Sequence, residues 1–201
     1  MTDARKTLFL TGGSTGIGAA CVRKFVAMGW QVSFMDSNAE AGRSLADELG
    51  VLFTEGNTRS RKDLDTALRA TQERYGCPDS VIANAGIHRC NTLLDISDEE
   101  LDLMIDTNIK GTVNTLRAVL PCMVERGRGN VVINASDQCF VGKPNSFGYG
   151  LTKGALGQIT KSLAIDLGPK GIRVNAVCAG TIRTPLTETL FQSFADITHG
   201  G

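Results

Sequence analysis

Four polar side chains in the second half of the chain have the types and spacing for proton chemistry at a carbonyl or an alcohol. Tyr149 and Lys153 stand four residues apart, so on a helix they share one face about 6 Å apart along the axis. A neighbouring ammonium favours tyrosinate and is expected to lower the tyrosine pKa from about 10. A drop of about three units needs roughly 4 kcal/mol, within reach of a partly buried cation. Tyr149 would then exchange a proton with a substrate hydroxyl near neutral pH. Chance often produces a bare Tyr–Lys pair at this spacing, and a snorkelling surface lysine beside a packed tyrosine is the alternative. Ser136 sharpens the signal. It lies 13 residues before Tyr149 and just past a strand end, where its hydroxyl can orient a carbonyl oxygen. Asn108 falls in register with Leu101, Met104, Ile105 and Thr112, so it faces inward from its helix. Asparagine is a poor mid-helix residue and needs partners when buried; backbone or water would serve as well as a catalytic role.

A second group of residues suits an anion. The apolar run Thr7-Leu8-Phe9-Leu10 leads straight into Thr11-Gly12-Gly13-Ser14-Thr15-Gly16-Ile17-Gly18. Glycines there let a ligand approach the main chain, and the free N–H groups of the helix that follows form a site for pyrophosphate. The spacing is T-G-x-x-x-G-x-G rather than G-x-G-x-x-G, because Cys21 stands where the latter wants its third glycine. A tight turn with no ligand is the plainer reading. Asp36 lies 18 residues beyond Gly18, at the end of a second strand. An acid there accepts ribose hydroxyls and repels a 2′-phosphate. Ser37 and Asn38 follow, with no Arg or Lys to welcome that phosphate. An ordinary turn aspartate is the alternative, but together with the loop the residue favours NAD over NADP.

Strand and helix signals alternate along the chain and must position these groups. Strands are expected at 7–10, 31–35, 51–53, 80–83, 130–134 and 173–177. Helices are expected after the glycine loop, at about 39–49, ahead of Gly76, after the capping box Ser97-Asp98-Glu99-Glu100, and at about 146–167. The stripe Leu156, Thr160, Leu163 and Leu167 continues the Tyr149–Lys153 face into the core. Near-continuous apolar strands between amphipathic helices mean a parallel sheet covered on both faces. The expected fold is therefore α/β: a Rossmann-type, doubly wound sheet in three αβα layers, with ligands at the carboxyl ends of the strands.

Composition narrows the classes further. The 201 residues are 42% hydrophobic, and 21 basic residues balance 21 acidic ones. Neither a nucleic-acid stripe nor a membrane-seeking basic face is expected. No apolar run is long enough to span a bilayer, the start lacks the apolar stretch of a signal peptide, and a cytoplasmic setting is expected. Six cysteines without a C-x-x-C pair read as reduced thiols, and His88 and His199 offer no metal site.

Taken in order, these motifs resemble the short-chain dehydrogenase/reductase family over essentially the whole chain. The resemblance implies an NAD(H)-dependent oxidoreductase that interconverts a secondary alcohol and a ketone by hydride transfer. Thr11, Gly12, Ser14, Thr15, Gly16, Ile17 and Gly18 would hold the cofactor, with Asp36, Asn57, Thr58 and the Asn84-Ala85-Gly86 segment. In Ala179-Gly180-Thr181-Ile182-Arg183-Thr184, Gly180, Ile182 and Thr184 would meet the nicotinamide end. Asn108, Ser136, Tyr149 and Lys153 match the family tetrad. Tyr149 would be the general acid/base and Ser136 would polarise the carbonyl. Lys153 would bind the nicotinamide ribose, and Asn108 would hold a water linking Lys153 to solvent.

Three departures stand out. Asn57 replaces an aspartate usual near adenine, and Ala179 replaces a proline. Relatives also continue past the position of Gly201 with a further helix and a seventh strand that often build the subunit interface. One domain over 1–201 is expected, lacking that last strand and helix, with 184–199 as a substrate lid and assembly as a homo-oligomer, dimer or tetramer. The partner would be a small alcohol or ketone. Ser136, Gln138, Asn145 and Tyr149 would face it, and the polar pair Gln138 and Asn145 tilts the choice towards a polyol, sugar or hydroxy acid. Ile87, His88, Phe140 and Phe147 are further candidates near Tyr149; His88 reads as a ligand-facing polar group or, more plainly, as a solvated loop histidine. The rival readings are a catalytically silent cofactor-binding subunit, a sugar epimerase or dehydratase, and a 3-oxoacyl or steroid reductase.

Overall fold

Six strands form the sheet: β1 (Thr7–Thr11), β2 (Gln31–Asp36), β3 (Leu52–Glu55), β4 (Ser80–Ala83), β5 (Gly129–Asn134) and β6 (Ile172–Val177). The structure is a computed structural model and describes residues 5–185 together with Thr187 and Glu188. All five strand pairs are parallel, in the order β3-β2-β1-β4-β5-β6. Parallel neighbours need crossovers. These are supplied by α1 (Gly16–Ala27), α2 (Ala39–Leu49), α3 (Arg61–Tyr75), α4 (Asp98–Met104), α5 (Gly111–Arg126) and α6 (Phe147–Leu167).

Alternation along the strands divides the interior into two layers. Leu8 and Leu10 of β1, with Val32 and Phe34 of β2, meet Val22 and Leu45 from α1 and α2. Phe9, Met35, Val81, Val131 and Ile133 point the other way, onto Leu64, Leu116 and Leu156 from α3, α5 and α6. This is the three-layer αβα sheet expected from the sequence. Its chain order reverses between β1 and β4, where Thr11 pairs with Ala83, so the ligand crevice of a doubly wound sheet opens beyond these two strand ends.

Local chemistry sets the helix limits. Asn38, Ser60 and Ser97 cap α2, α3 and α4 by accepting from Ala41, Asp63 and Glu100 main-chain N–H groups. Gly50 ends α2 in the left-handed conformation, at φ 65°. The capping box at Ser97 opens a helix as expected, but the helix is not regular. A π-helical turn, Ile105–Lys110, separates α4 from α5 and holds the fully buried Asn108. Such wide turns recur at functional sites.

A second departure concerns the cysteines. Cys77 and Cys122 are joined in a disulfide, so the expectation of six reduced thiols is corrected. Packing of α3 against α5 brings together two residues 45 apart in sequence, with Cα atoms 6.0 Å apart; nothing in their spacing marks them as a pair. Of the expected lid, 184–199, only 184, 185, 187 and 188 fall among the described residues. There Thr184 accepts from Glu188 N, and its own N–H donates to the Thr187 hydroxyl at 2.8 Å. Among the described residues, no helix is long and apolar enough to cross a membrane.

Candidate active site

A cleft of about 640 Å³ lies over the strand ends at the reversal point, within the size range of cofactor sites. Gly12, Thr15, Gly16 and Ile17 form one wall, and Asp36 and Asn84 to Gly86 stand beside them. The start of α1 differs from those of α2, α3 and α4. Thr15 makes no side-chain cap bond, and the first turn carries no acidic residue. Its N–H donors are therefore left for a ligand. With the helix dipole they make a site that fits a pyrophosphate. Gly16 has φ 54°, a conformation that favours glycine, and Thr184 packs against it. The glycine loop and the 180–184 segment thus meet across the cleft, with Gly180, Ile182 and Thr184 on its wall.

Asparagine side chains connect that wall to the group expected to do chemistry. Asn84 donates from Nδ2 to the Gly12 carbonyl at 2.7 Å, and its Oδ1 accepts from Asn134 Nδ2 at 2.7 Å. The main-chain oxygen of Asn134 in turn accepts from Lys153 Nζ at 2.7 Å. The lysine is 4% exposed, which removes the snorkelling alternative. Ser136, Tyr149 and Lys153 all line the cleft, and Nζ lies 5.5 Å from the centroid of the tyrosine ring. The Ser136 hydroxyl donates to Asp137 Oδ1 at 3.0 Å and accepts from Gln138 N at 3.2 Å.

The charges do not settle as the sequence suggests. Burial raises the Tyr149 pKa; the neighbouring Ser136 hydroxyl opposes this, while Asp137 and Cys139 add to it. Burial also lowers Lys153 to about 8. The expected downward pull of Lys153 on the phenol is thus corrected for this arrangement: Nζ is bonded to a strand carbonyl, and loss of hydration dominates at both groups.

Asn108 lies behind the cleft wall. Its Oδ1 accepts from Ile87 N at 2.8 Å, and its Nδ2 donates to Ile87 O at 3.0 Å and to Thr152 Oγ1 at 2.9 Å. Thr112 Oγ1 donates to its main-chain oxygen at 2.7 Å. Asn57 and Thr58 are on the wall, with Asn57 Oδ1 accepting from Arg59 N. Three of the loop residues expected to hold the cofactor sit behind it. Thr11 is buried in β1, and Ser14 donates its N–H to Asp36 Oδ2 at 3.0 Å. A side chain at Gly18 would collide with the Gly12 carbonyl.

Gln138 and Asn145 are not brought to the cleft. Gln138 lines a separate shallow depression with Phe140 and Leu151. Asn145 takes the left-handed conformation at φ 51°, and its carbonyl accepts from Asn91 N. It is a turn residue. His88, expected in solvent, instead stacks on Tyr149 and meets the Ser146 hydroxyl through Nε2 at 3.2 Å. Asn134 also escaped the sequence reading, although a polar residue closing an apolar strand at the ligand edge was a usable signal.

Comparison with known proteins agrees with this geometry. Residues 6–194 match the short chain dehydrogenase family. L-fucose dehydrogenase of Mus musculus is 38% identical over 193 residues, covering 95% of this chain and 70% of the mouse protein. A variant of actinorhodin polyketide ketoreductase, solved with NADPH, gives a TM-score of 0.93 at 29% identity, covering 98% of this chain and 78% of that one. The 3-ketoacyl-(acyl-carrier-protein) reductase from Brucella melitensis, complexed with NADH, gives 0.89 at 29% identity over 93% and 81%. The chain belongs to the short-chain dehydrogenase/reductase family of oxidoreductases, whose members bind a nicotinamide cofactor.

Proposed function

We propose that this chain is an NAD(H)-dependent oxidoreductase that interconverts a secondary alcohol and a ketone, with Tyr149 as general acid and base. One observation carries the reading. Ser136, Tyr149 and Lys153 share a cleft with the uncapped start of α1, and Lys153 is linked through Asn134 and Asn84 to Gly12 in the loop ahead of that helix. A nicotinamide, when bound, supplies or accepts the hydride, and this chain's residues do the rest. The Ser136 hydroxyl holds the substrate oxygen. In reduction Tyr149 gives that oxygen its phenolic proton; in oxidation it takes one back. Lys153, held by the Asn134 carbonyl beside the tyrosine ring, would hold the ribose next to the nicotinamide. Asn108 fixes the main chain at Ile87, on the facing wall.

Asp36 supports NAD. Its two oxygens accept from Ser14 N and Asn38 N, which aims a carboxylate at the place where a ribose would sit. Because Gln138 and Asn145 lie off the cleft, a polar substrate now finds its support in the resemblance to L-fucose dehydrogenase.

The test is Tyr149→Phe, assayed against polyols, sugars including L-fucose, and hydroxy acids, with NADH and NADPH titrated by fluorescence. Turnover is expected to fall by about 10²- to 10⁴-fold with NADH binding retained and tighter than NADPH binding. Near-normal turnover would overturn the role of Tyr149, and preferred NADPH binding would overturn the cofactor assignment.

A further inference from the structure

Two free thiols lie directly behind the catalytic group. Cys139 closes the short helical turn Asp137–Cys139 that starts from Ser136, and its Sγ donates to the Lys153 main-chain oxygen at 2.9 Å. Cys178 follows β6 and is held to the same turn by main-chain bonds on either side. Ala135 N donates to Val177 O at 2.9 Å, and Asp137 N donates to Ala179 O at 3.0 Å. The Cys178 thiol interacts with that of Cys139 and with the Ser136 main chain. Both cysteines pack at the margin of the core beneath α6 and are only half-buried.

We propose that Cys139 and Cys178 form a modification site, at which a small disulfide such as oxidised glutathione converts the two thiols into a Cys139–Cys178 bridge and slows turnover. Cys139 acts first, since burial raises the Cys178 thiol pKa and so disfavours its thiolate. The Cys139 thiolate attacks one sulfur of the reagent. The reagent's S–S bond breaks, one thiol leaves, and a mixed disulfide remains on Cys139. Cys178, as thiolate, then attacks Cys139 Sγ and expels the second thiol. Two cysteine protons end on the two released thiols, and two electrons reduce the reagent.

Closure changes the site in two ways. Cys139 can no longer donate to the Lys153 carbonyl, one turn away from Tyr149. The turn that carries Ser136 also becomes covalently tied to the segment carrying Gly180, Ile182 and Thr184. The loss of turnover rests on the oxidoreductase reading; formation of the bridge does not.

The full chain, incubated natively with oxidised glutathione, alkylated and peptide-mapped, should yield a linked Cys139–Cys178 peptide pair. Free thiols should fall from four to two, the other two being Cys21 and Cys90. Turnover should fall at least about tenfold and return with dithiothreitol. Cys178→Ser should stop the bridge and leave glutathione on Cys139, and Cys139→Ser should show neither. The proposal is overturned if both thiols stay open to alkylation, if oxidation lands on Cys21 or Cys90 instead, or if a bridged, active enzyme keeps its full rate. A bridge formed in a chain without dehydrogenase activity sustains the site and sinks only the oxidoreductase reading.

Discussion

The imidazole of His88 lies over the ring of Tyr149, with centroids 4.1 Å apart and planes inclined by 21°. It spans two elements, because His88 follows the Asn84–Gly86 segment and its Nε2 meets Ser146, the residue that opens α6. The stack covers one face of the tyrosine ring. An aromatic contact of this kind is worth about 0.5–1.5 kcal/mol, enough to set which way the phenol points. His88→Ala should therefore lower kcat by about 3- to 10-fold with little change in the Kd for NADH. His88→Phe, which keeps a flat ring, should stay within about twofold. Equal rates in both variants would show that the stack does not position Tyr149.

The same histidine predicts a pH dependence of stability. Burial, followed by the positive charges of Lys153, Lys143 and Arg89, lowers its pKa from 6.5 to about 4. The unfolded chain therefore binds a proton between these values while the folded chain does not. Stability from the neutral imidazole is full above pH 6.5 and is lost as pH falls towards 4. Urea midpoints measured from pH 7 to 4 should decline more steeply for the native sequence than for His88→Phe.

Lys153 shows the opposite trade between stability and function. Its ammonium is buried, and its pKa lies near 8 rather than 10.5. Below pH 8 the charge is present in both states and destabilises the folded one. The penalty is relieved as pH rises from 8 to 10.5, where the folded chain gives up its proton first. Lys153→Met should leave the protein as stable as before or about 1–3 kcal/mol more stable at pH 7, while turnover collapses. A fall in Tm would mean that the bond to the Asn134 carbonyl outweighs the buried charge.

Much of this architecture was legible because local signals agree with one another. Asn38 and Gly50 bracket α2 at its observed limits, Ala39–Leu49, and the apolar runs at β1, β4 and β5 could only be sheet interior. The glycine loop, Asp36 and the Ser136–Tyr149–Lys153 spacing led to one cleft for the same reason: each sits at a strand end or helix face whose place the sheet topology decides. What could not be read depends on contacts between segments far apart. The π-helical turn at Asn108 is held by bonds to Ile87 and Thr152, 21 and 44 residues away. The direction of the Tyr149 shift turns on how deeply the fold buries the phenol, which spacing within α6 cannot reveal. His88 looked like any loop histidine because its two partners, Ser146 and Tyr149, come from another element.

Asn108 tests how far that distant bonding supports the site. Its side chain satisfies both main-chain groups of Ile87 and also the Thr152 hydroxyl, with no exposure to solvent. Removing it leaves several buried polar groups unpaired, at about 1–3 kcal/mol each where water cannot enter. Asn108→Ala should lower unfolding stability by about 2–4 kcal/mol in a urea titration. Turnover should fall further than that loss of folded protein explains, since His88 is the next residue along the strand-end loop. A variant with native stability would place water, not Asn108, as the support of Ile87.

Asp36 carries the choice of cofactor, and its bonding predicts a double effect. It closes β2 beside Glu55 of β3, and Arg59, a few residues further on, stands on the same cleft wall. One carboxylate oxygen anchors Ser14 in the glycine loop, while the charge itself opposes a 2′-phosphate. Asp36→Ala should weaken NADH binding, because the loop loses an anchor and the ribose loses an acceptor. It should also strengthen NADPH binding, because a like charge is gone and Arg59 remains. The ratio of the two Kd values should shift towards NADPH by about 10- to 100-fold, the effect of removing one close like-charge contact of about 1.4–2.8 kcal/mol. Asp36→Asn separates the two roles: an amide oxygen still accepts from Ser14, so the loop stays ordered while the repulsion disappears. If both variants weaken the two cofactors in equal measure, Asp36 serves the loop alone and the preference for NAD has to come from another part of the cleft.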